Sequence, residues 1–406
     1  MHSMNDRALR VLYLHPASAF GGASKSLIEL FGHLRSAAVE AVIVTPPGKA
    51  SELFARAGMS VRPVRGLSQF DNTRYGYYRR LRWLILIREI LLLPSSLRAL
   101  WQARREPVDL IHINEITLLP LGVLAKRLLR APLVVHVRSV QRREVSTWRS
   151  RWINGLLRLH ADAVVAIDHT VAATLASDLP VCVVHNGLKV DHQVAISRLK
   201  GDHEPVRVGF LGVLIPLKGI FELVEAMRLL KQRGVSVECV IAGENARQLS
   251  GVKAWILGKF GFARDVRAEL EVLIQRQGLE SHVKLLGFVS DVRELYPQLD
   301  ILCFPSHLDA AGRPVFEAAF YSVPSVVAVI DPMPDALLHE VTGLAVPTPD
   351  PVLIADALQR LAEDPEFRRE LGRQAKIWAE QTFSIEANAA RMLELYRDIQ
   401  STQASR

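Results

Sequence analysis

The chain has 406 residues, 49% of them hydrophobic and 23% charged, with a formal net charge of +8. That length makes two or three domains, and half-apolar composition buries a sizeable core without staples. A disordered chain, a collagen-like repeat and a small disulfide scaffold are excluded, and the positive balance suits acidic partners such as nucleotides, phosphates or anionic lipid.

Cys182, Cys239 and Cys303 each sit in an apolar run. No pair has metal-ligand or redox spacing, and three is an odd number for a disulfide framework, so they read as inert core residues of an intracellular protein. Near the N-terminus, Asp6, Arg7 and Arg10 precede a short strand-like run without a small-residue cleavage site, which does not read as a signal peptide. No run of about 20 uncharged apolar residues occurs. The nearest, 81–93, carries Arg82, Arg88 and Glu89.

Short runs of Val, Ile and Leu alternate with amphipathic segments. Strands are predicted at 11–15, 41–45, 110–113, 133–137, 163–167 and 181–184, then at 206–211, 237–242, 283–286, 301–304 and 325–329. They show little polar alternation, as parallel strands covered on both faces do. Helices are predicted at 24–34, 119–129, 220–233 and 265–277, with two more in the last ~35 residues, split near 382–384. This rhythm runs twice, and each run implies an open, doubly wound α/β sheet. The polar stretch 191–205 separates the two. The expected domains are 1–195, 196–380, and a C-terminal helix, 381–406, packing back on the first. Ligands in such sheets bind at the carboxyl ends of the strands, which makes a cleft between two facing sheets the expected site.

Three strand-to-helix loops carry chemistry. The first contains Gly21 and Gly22 at a helix start, where close backbone approach and free N–H groups attract an anion. It lacks a full G-x-G-x-x-G, and a tight turn explains it as well. The second runs from Gly209 through Gly212 to Gly219 and presents Lys218, either to a diphosphate or to solvent. The third is Pro305-Ser306-His307-Leu308-Asp309-Ala310-Ala311-Gly312-Arg313-Pro314-Val315-Phe316-Glu317. Pro314 suits a first helical turn, and the carboxylates of Asp309 and Glu317 accept hydrogen bonds from sugar hydroxyls. Glu317 lies among apolar helical residues and needs a partner if buried.

These residues resemble the retaining glycosyltransferases of family 4, whose signature is a Glu-x7-Glu element within PS-x-x-E-G-F-G-x-x-x-x-E-A; here the chain reads PSHLDAAGRPVFEA. Asn186-Gly187, Gly243-Glu244 and the segment 285–306 also match, and the resemblance spans nearly the whole chain. It implies a GT-B fold, two Rossmann-like domains facing across a cleft, and a metal-independent hexosyltransferase. The nucleotide sugar, UDP- or GDP-linked, is a substrate, and no cofactor or metal is implied. No Asp-x-Asp pair occurs in the chain.

By the resemblance, Glu317 holds the ribose hydroxyls and Asp309 the donor sugar. Gly312 and Arg313 cradle sugar and phosphate, and Lys218 stabilises the leaving diphosphate. Gly287 and Phe288 lie beside the base, Gly212 lines the phosphate loop, and Gly21 and Gly22 approach the diphosphate. His136 falls where the family often places a histidine near the sugar; the alternative is a structural histidine at a strand end. Two departures stand out. Asp309 replaces the usual Glu, and Val213 stands where Arg usually follows the glycine of the second loop. Arg313 is a candidate replacement for that missing cation.

Between 74 and 105 the chain carries eight arginines against Glu89 alone, interleaved with aromatic and leucine-rich segments. Arg79, Arg80, Arg82 and Trp83, with Arg142 and Arg143 further on, have the profile of a membrane-interface segment in the acceptor-binding half. A core helix with a solvated basic face is the alternative. The expected partners are therefore a nucleotide-sugar donor, a glycan or polyprenyl-linked acceptor and an anionic membrane surface, with the protein cytoplasmic and peripheral on the inner face. Nucleic acid is not among them, because charge alone supports it. Two other readings stay open at this point: a catalytically degenerate GT-B subunit and a nucleotide-sugar epimerase-like enzyme on the same fold.

Overall fold

The computed structural model describes residues 7–74, 83–142, 147–188, 205–245, 265–289, 291–308 and 310–404. Asp309, Arg79, Arg80, Arg82 and Arg143 lie outside the described residues, as does nearly all of the 191–205 stretch. The chain divides into two compact units, Met1–Lys189 with Phe383–Arg406, and Val190–Thr382.

The first unit contains β1 (Leu9–Leu14), α1 (Gly22–Ser36), β2 (Val39–Thr45), α2 (Lys49–Arg56), β3 (Ser60–Pro63), α3 (Ile85–Ala103), β4 (Leu110–Ile113), α4 (Leu119–Leu129), β5 (Leu133–Val137), α5 (Trp148–His160), β6 (Ala163–Ala166), α6 (His169–Ala172) and β7 (Val181–Val183). Its seven strands lie in the order β3-β2-β1-β4-β5-β6-β7. Every pair is parallel. The terminal helix, Ile385–Ala404, packs on α1 and sets Ala389, Met392, Tyr396 and Ile399 into the core beside Leu27, Phe31 and Leu34. Their spacing of three and four residues puts them on one helical face.

The second unit repeats the pattern with β8 (Val206–Leu211), α7 (Ile220–Gln232), β9 (Val237–Ala242), α8 (Val266–Arg276), β10 (Val283–Gly287), β11 (Ile301–Phe304), α9 (Arg313–Ala319), β12 (Ser325–Ala328), β13 (Gly343–Val346), α10 (Pro351–Glu363) and α11 (Pro365–Thr382). The strand order is β10-β9-β8-β11-β12-β13, again all parallel. Each predicted strand is present within one or two residues. The pattern did not anticipate β3 and β13. β3 is a four-residue edge strand ending in Pro63, and β13 opens on Gly343; Pro and Gly both weaken a strand signal.

In both sheets the strand order reverses at a central switch point, where ligands bind in this architecture. In the first unit it falls between β1 and β4, and in the second between β8 and β11. The three loops singled out in the sequence follow β1, β8 and β11.

Candidate active site

In the second unit the loops after β8 and β11 are locked together. Gly219 has φ +70°, and a Cβ there would lie 1.7 Å from the Pro305 carbonyl oxygen. Only glycine fits so close an approach. The His307 N–H donates to the Leu217 carbonyl at 3.0 Å, and the Ser306 hydroxyl donates to the same oxygen at 3.2 Å. Between these contacts Lys218 projects its ammonium 4.7 Å above the Phe304 ring. Burial lowers its pKa to about 8. The described residues offer it no carboxylate partner. Gly312, the N-cap of α9, is also required by packing, because a Cβ there would meet the Phe304 ring at 2.4 Å.

One turn into α9, Glu317 is 5% exposed. A buried carboxylate needs partners, and both of its oxygens have one. Tyr296 donates its phenolic hydrogen to Oε2 at 2.7 Å, and Arg313 donates Nε–H to Oε1 at 2.5 Å. Tyr296 is itself buried against Tyr321, ring centroids 5.7 Å apart. Burial, then the adjacent carboxylate, pushes its phenol well above the ordinary range. Tyr296, supplied by a short turn 21 positions before Glu317, had no sequence signal as a site residue. Arg313, expected at the diphosphate, has its guanidinium drawn onto Glu317 and 5.8 Å over Phe316. Val213, which stands in place of the family's arginine, is 49% exposed.

The backbone of Gly243 passes so close to Gly212 that a Cβ would sit 1.8 Å from the Gly212 carbonyl oxygen. Gly287 has φ +72° and accepts from the Gly243 N–H at 2.8 Å. Phe288, next in the chain, is 73% exposed, and its N–H donates to Glu244 Oε1 at 3.3 Å. Gly212, Gly243, Gly287 and Phe288 therefore belong to adjoining loops at the carboxyl ends of β8, β9 and β10.

The first unit builds a polar chain at its own switch point. Gly21 caps α1 in an extended conformation, and a Cβ at Gly21 or Gly22 would meet nothing within 4 Å. Neither the packing nor the backbone demands glycine there. Behind the loop, Ser24 Oγ lies 3.1 Å from His15 Nε2, and Asn114 Nδ2 lies 2.9 Å from His15 Nδ1. Arg138 then donates to Asn114 Oδ1 at 2.9 Å, to Asn186 Oδ1 at 2.7 Å and to His136 Nδ1 at 3.3 Å. His136 Nδ1 also pairs with His112 Nε2 at 3.1 Å, and His112 Nδ1 with the Tyr396 hydroxyl at 2.6 Å. With Arg138 donating to Nδ1, a neutral His136 carries its proton on Nε2. That atom is buried and without a partner among the described residues.

Burial, reinforced by the Arg138 charge, lowers His15 and His112 to about 3 and His136 well below its ordinary value. Beside this chain Glu115 accepts from the Ser139 hydroxyl at 2.7 Å and the Ile116 N–H at 2.9 Å, and burial raises its pKa. Sequence reasoning found His136 and noted Asn186 as a family match without a role, but missed His15, Asn114, Glu115 and Arg138 as site residues. Their signal was position, since all stand at or just beyond strand ends.

Of the residues that the sequence put on an acceptor or membrane side, Trp83 is 37% exposed with the Arg149 guanidinium 5.3 Å from its ring. Arg142 is half-buried, and its N–H donates to the Asn72 carbonyl at 3.3 Å.

Two family models match the chain: a glycosyl transferase 4-like domain over residues 21–187 and glycosyl transferases group 1 over residues 194–378. The protein belongs to the group 1 glycosyltransferases. The α-D-kanosaminyltransferase of Streptomyces kanamyceticus is 27% identical over 205 residues, 49% of this chain and 47% of that protein. The amylovoran biosynthesis glycosyltransferase AmsK of Erwinia amylovora is 30% identical over 169 residues, 40% and 37% of the two chains. The matches thus span about half, or less, of these curated relatives. Among solved structures, HepE of Anabaena, in complex with UDP and glucose, superposes with a TM-score of 0.72 at 22% identity, covering 95% of this chain and 98% of its own. Sucrose-phosphate synthase of Thermosynechococcus elongatus gives 0.72 at 17% identity, covering 97% and 100%. These neighbours establish the two-domain Rossmann-like GT-B fold for this group 1 glycosyltransferase.

Proposed function

We propose that the protein transfers a sugar, with retention of anomeric configuration and without a metal, from a nucleoside-diphosphate sugar to a glycan or polyprenyl-linked acceptor at the cytoplasmic face of a membrane, in bacterial polysaccharide or glycoconjugate synthesis. The observation that carries this reading is a buried carboxylate, Glu317, on the helix after β11 together with a half-buried ammonium, Lys218, on the loop after β8, on either side of the switch point of the second unit. Glu317 accepts ribose hydroxyls, while Tyr296 and Arg313 hold the carboxylate in place. Lys218 meets the diphosphate, and Gly287 and Phe288 flank the base. Departure of the diphosphate develops negative charge on its oxygens, and a fixed donor aimed there lowers the barrier by about 3 kcal/mol. In this reading Asp309 is assigned to the donor sugar, and His136, Gly21 and Gly22 are the first unit's candidates for contact with the donor.

The relatives support a polysaccharide or glycoconjugate setting, and the UDP bound in HepE makes UDP-sugars the first donors to test. The test is release of nucleoside diphosphate from UDP- and GDP-sugars, in the presence of EDTA, by wild type and by Lys218→Gln. Turnover with one donor, unaffected by EDTA and reduced at least tenfold in the variant, agrees with the proposal; loss of all turnover in EDTA contradicts it. Val213 favours a second reading, a GT-B subunit that binds the nucleotide without turning it over.

A further inference from the structure

The outer face of α3 is inverted relative to an ordinary surface helix. Its small residues face inward: Ser96, Ala99 and Ala103 are buried along with Leu100. Its large apolar residues face out, with Ile87 56%, Ile90 65%, Leu91 73%, Leu97 42% and Trp101 56% exposed. A soluble surface seldom leaves so many large apolar side chains together on one helix. Gly66 explains the close inward seat, because a Cβ there would press on Leu92 at 2.9 Å.

Charge completes the pattern. Arg88, Arg98, Arg104 and Arg105 are exposed on the same helix or just past its end. The single carboxylate from 83 to 105 is Glu89, which is buried, takes the Arg88 guanidinium at 2.9 Å and accepts the Gln69 N–H at 2.8 Å. Glu106, just beyond, is tied to Arg10 and Arg62. The exposed face therefore carries no negative charge. At its N-terminal end it continues onto α5. Arg149 of α5 lies beneath Trp83, and Phe70 packs edge-on against Trp152 at 4.7 Å. Trp148 and Trp152 stand exposed there at 56% and 42%.

We infer that this face, α3 with the tryptophans of α5, is a membrane-docking surface that lies flat in the headgroup region of an anionic bilayer. Leucine and isoleucine side chains enter the acyl boundary, tryptophans sit at headgroup level, and arginines pair with lipid phosphates. The inference rests on the proposed membrane-borne acceptor, and it supplies the surface that brings the first unit to it.

The experiment is co-sedimentation of the full chain, at low salt, with vesicles of phosphatidylcholine alone or mixed with phosphatidylglycerol. The comparison is with an Ile90→Glu/Leu91→Glu variant and with Arg98→Gln/Arg104→Gln/Arg105→Gln. Wild type is expected to bind the anionic vesicles and to be released by salt. The apolar-to-Glu variant should lose about tenfold or more of that binding with unchanged thermal unfolding, since both side chains are exposed. The arginine variant should lose the salt-sensitive part. Equal binding to neutral and anionic vesicles, or equal binding by the Glu variant, overturns the inference. So does a wild-type dimer in solution that the Glu variant abolishes without any vesicle binding, which would assign the face to a second copy. Nucleoside-diphosphate binding measured on the same samples separates the two ideas. Vesicle binding without nucleotide binding sinks the donor reading and leaves this one standing.

Discussion

Arg313 donates its Nε–H to Glu317 Oε1 at 2.5 Å, one helical turn apart, so the residue expected at the diphosphate is also the clamp on the residue expected at the ribose. Both side chains are largely buried, at 13% and 6% exposure. Removing one member of a buried pair leaves the other charge uncompensated. Glu317→Ala is expected to weaken nucleotide binding at least tenfold and to lower stability by about 3 kcal/mol. Arg313→Ala separates the two roles by a denaturation midpoint and a nucleotide titration on the same sample. If its guanidinium serves only the clamp, stability falls and the residual nucleotide affinity tracks that of Tyr296→Phe. If it also contacts the diphosphate, affinity falls well below that of Tyr296→Phe.

Tyr296→Phe removes one donor from a buried carboxylate and leaves the other. The expected cost is about 1–3 kcal/mol of stability, read by denaturant unfolding. No change in the midpoint would mean that the phenol contributes nothing to holding Glu317.

Lys218 supplies a pH signature. Its ammonium is the charged form, and burial lowers its pKa to about 8 in the free protein. The free enzyme therefore loses this cation as pH rises through about 8. The kcat/KM for the donor, which reports free-enzyme ionisations, is expected to fall above that pH. In Lys218→Gln the alkaline limb should vanish along with most of the activity. A profile that stays flat to pH 9.5 in the wild type would contradict the role.

The buried imidazoles of the first unit set a second pH dependence, this time of stability. His15 and His112 titrate near 3 when folded, against an ordinary value of about 6.5 in the unfolded chain. Below 6.5 the unfolded chain binds protons that the folded one does not, so stability is full above about pH 6.5 and falls as pH drops towards 3. Each group contributes a slope of up to about 1.4 kcal/mol per pH unit in that window. His112→Asn should shift the midpoint at neutral pH by losing two hydrogen bonds, and flatten the slope between pH 6 and 4 by about one proton. An unchanged slope would show that His112 is protonated in the fold.

Most of the fold was legible because parallel strands covered on both faces leave uninterrupted apolar runs, as in residues 206–211 and 301–304. The candidate loops of the second unit were legible because their glycines are forced by geometry. Gly219 abuts the Pro305 carbonyl and Gly312 abuts Phe304. What stayed hidden depends on tertiary contact. Tyr296 reaches Glu317 only after β11 and α9 fold against each other. The line from Arg138 through His136 and His112 to Tyr396 joins two strands to a helix 284 positions away from His112. α3 carries apolar residues on both its packed and its exposed face, so the pattern did not tell one from the other.

Gly21 and Gly22 offer a test in which fold and function part. A Cβ at either position meets nothing, and Gly21 is extended, so Gly22→Ala is expected to leave the unfolding temperature unchanged or slightly raised. If the phosphates approach there, KM for the donor rises several-fold. A variant with both unchanged would remove the loop from the donor site.

The central claim, that the second unit holds a nucleoside diphosphate against Glu317, is tested most directly by thermal shift with UDP, GDP, ADP, dTDP and CDP on wild type and Glu317→Ala. The account predicts selective stabilisation of the wild type by one of them, of about 2.7 kcal/mol at one hundred times its Kd, and none in the variant. No shift with any diphosphate in the wild type, or an equal shift in Glu317→Ala, would contradict it.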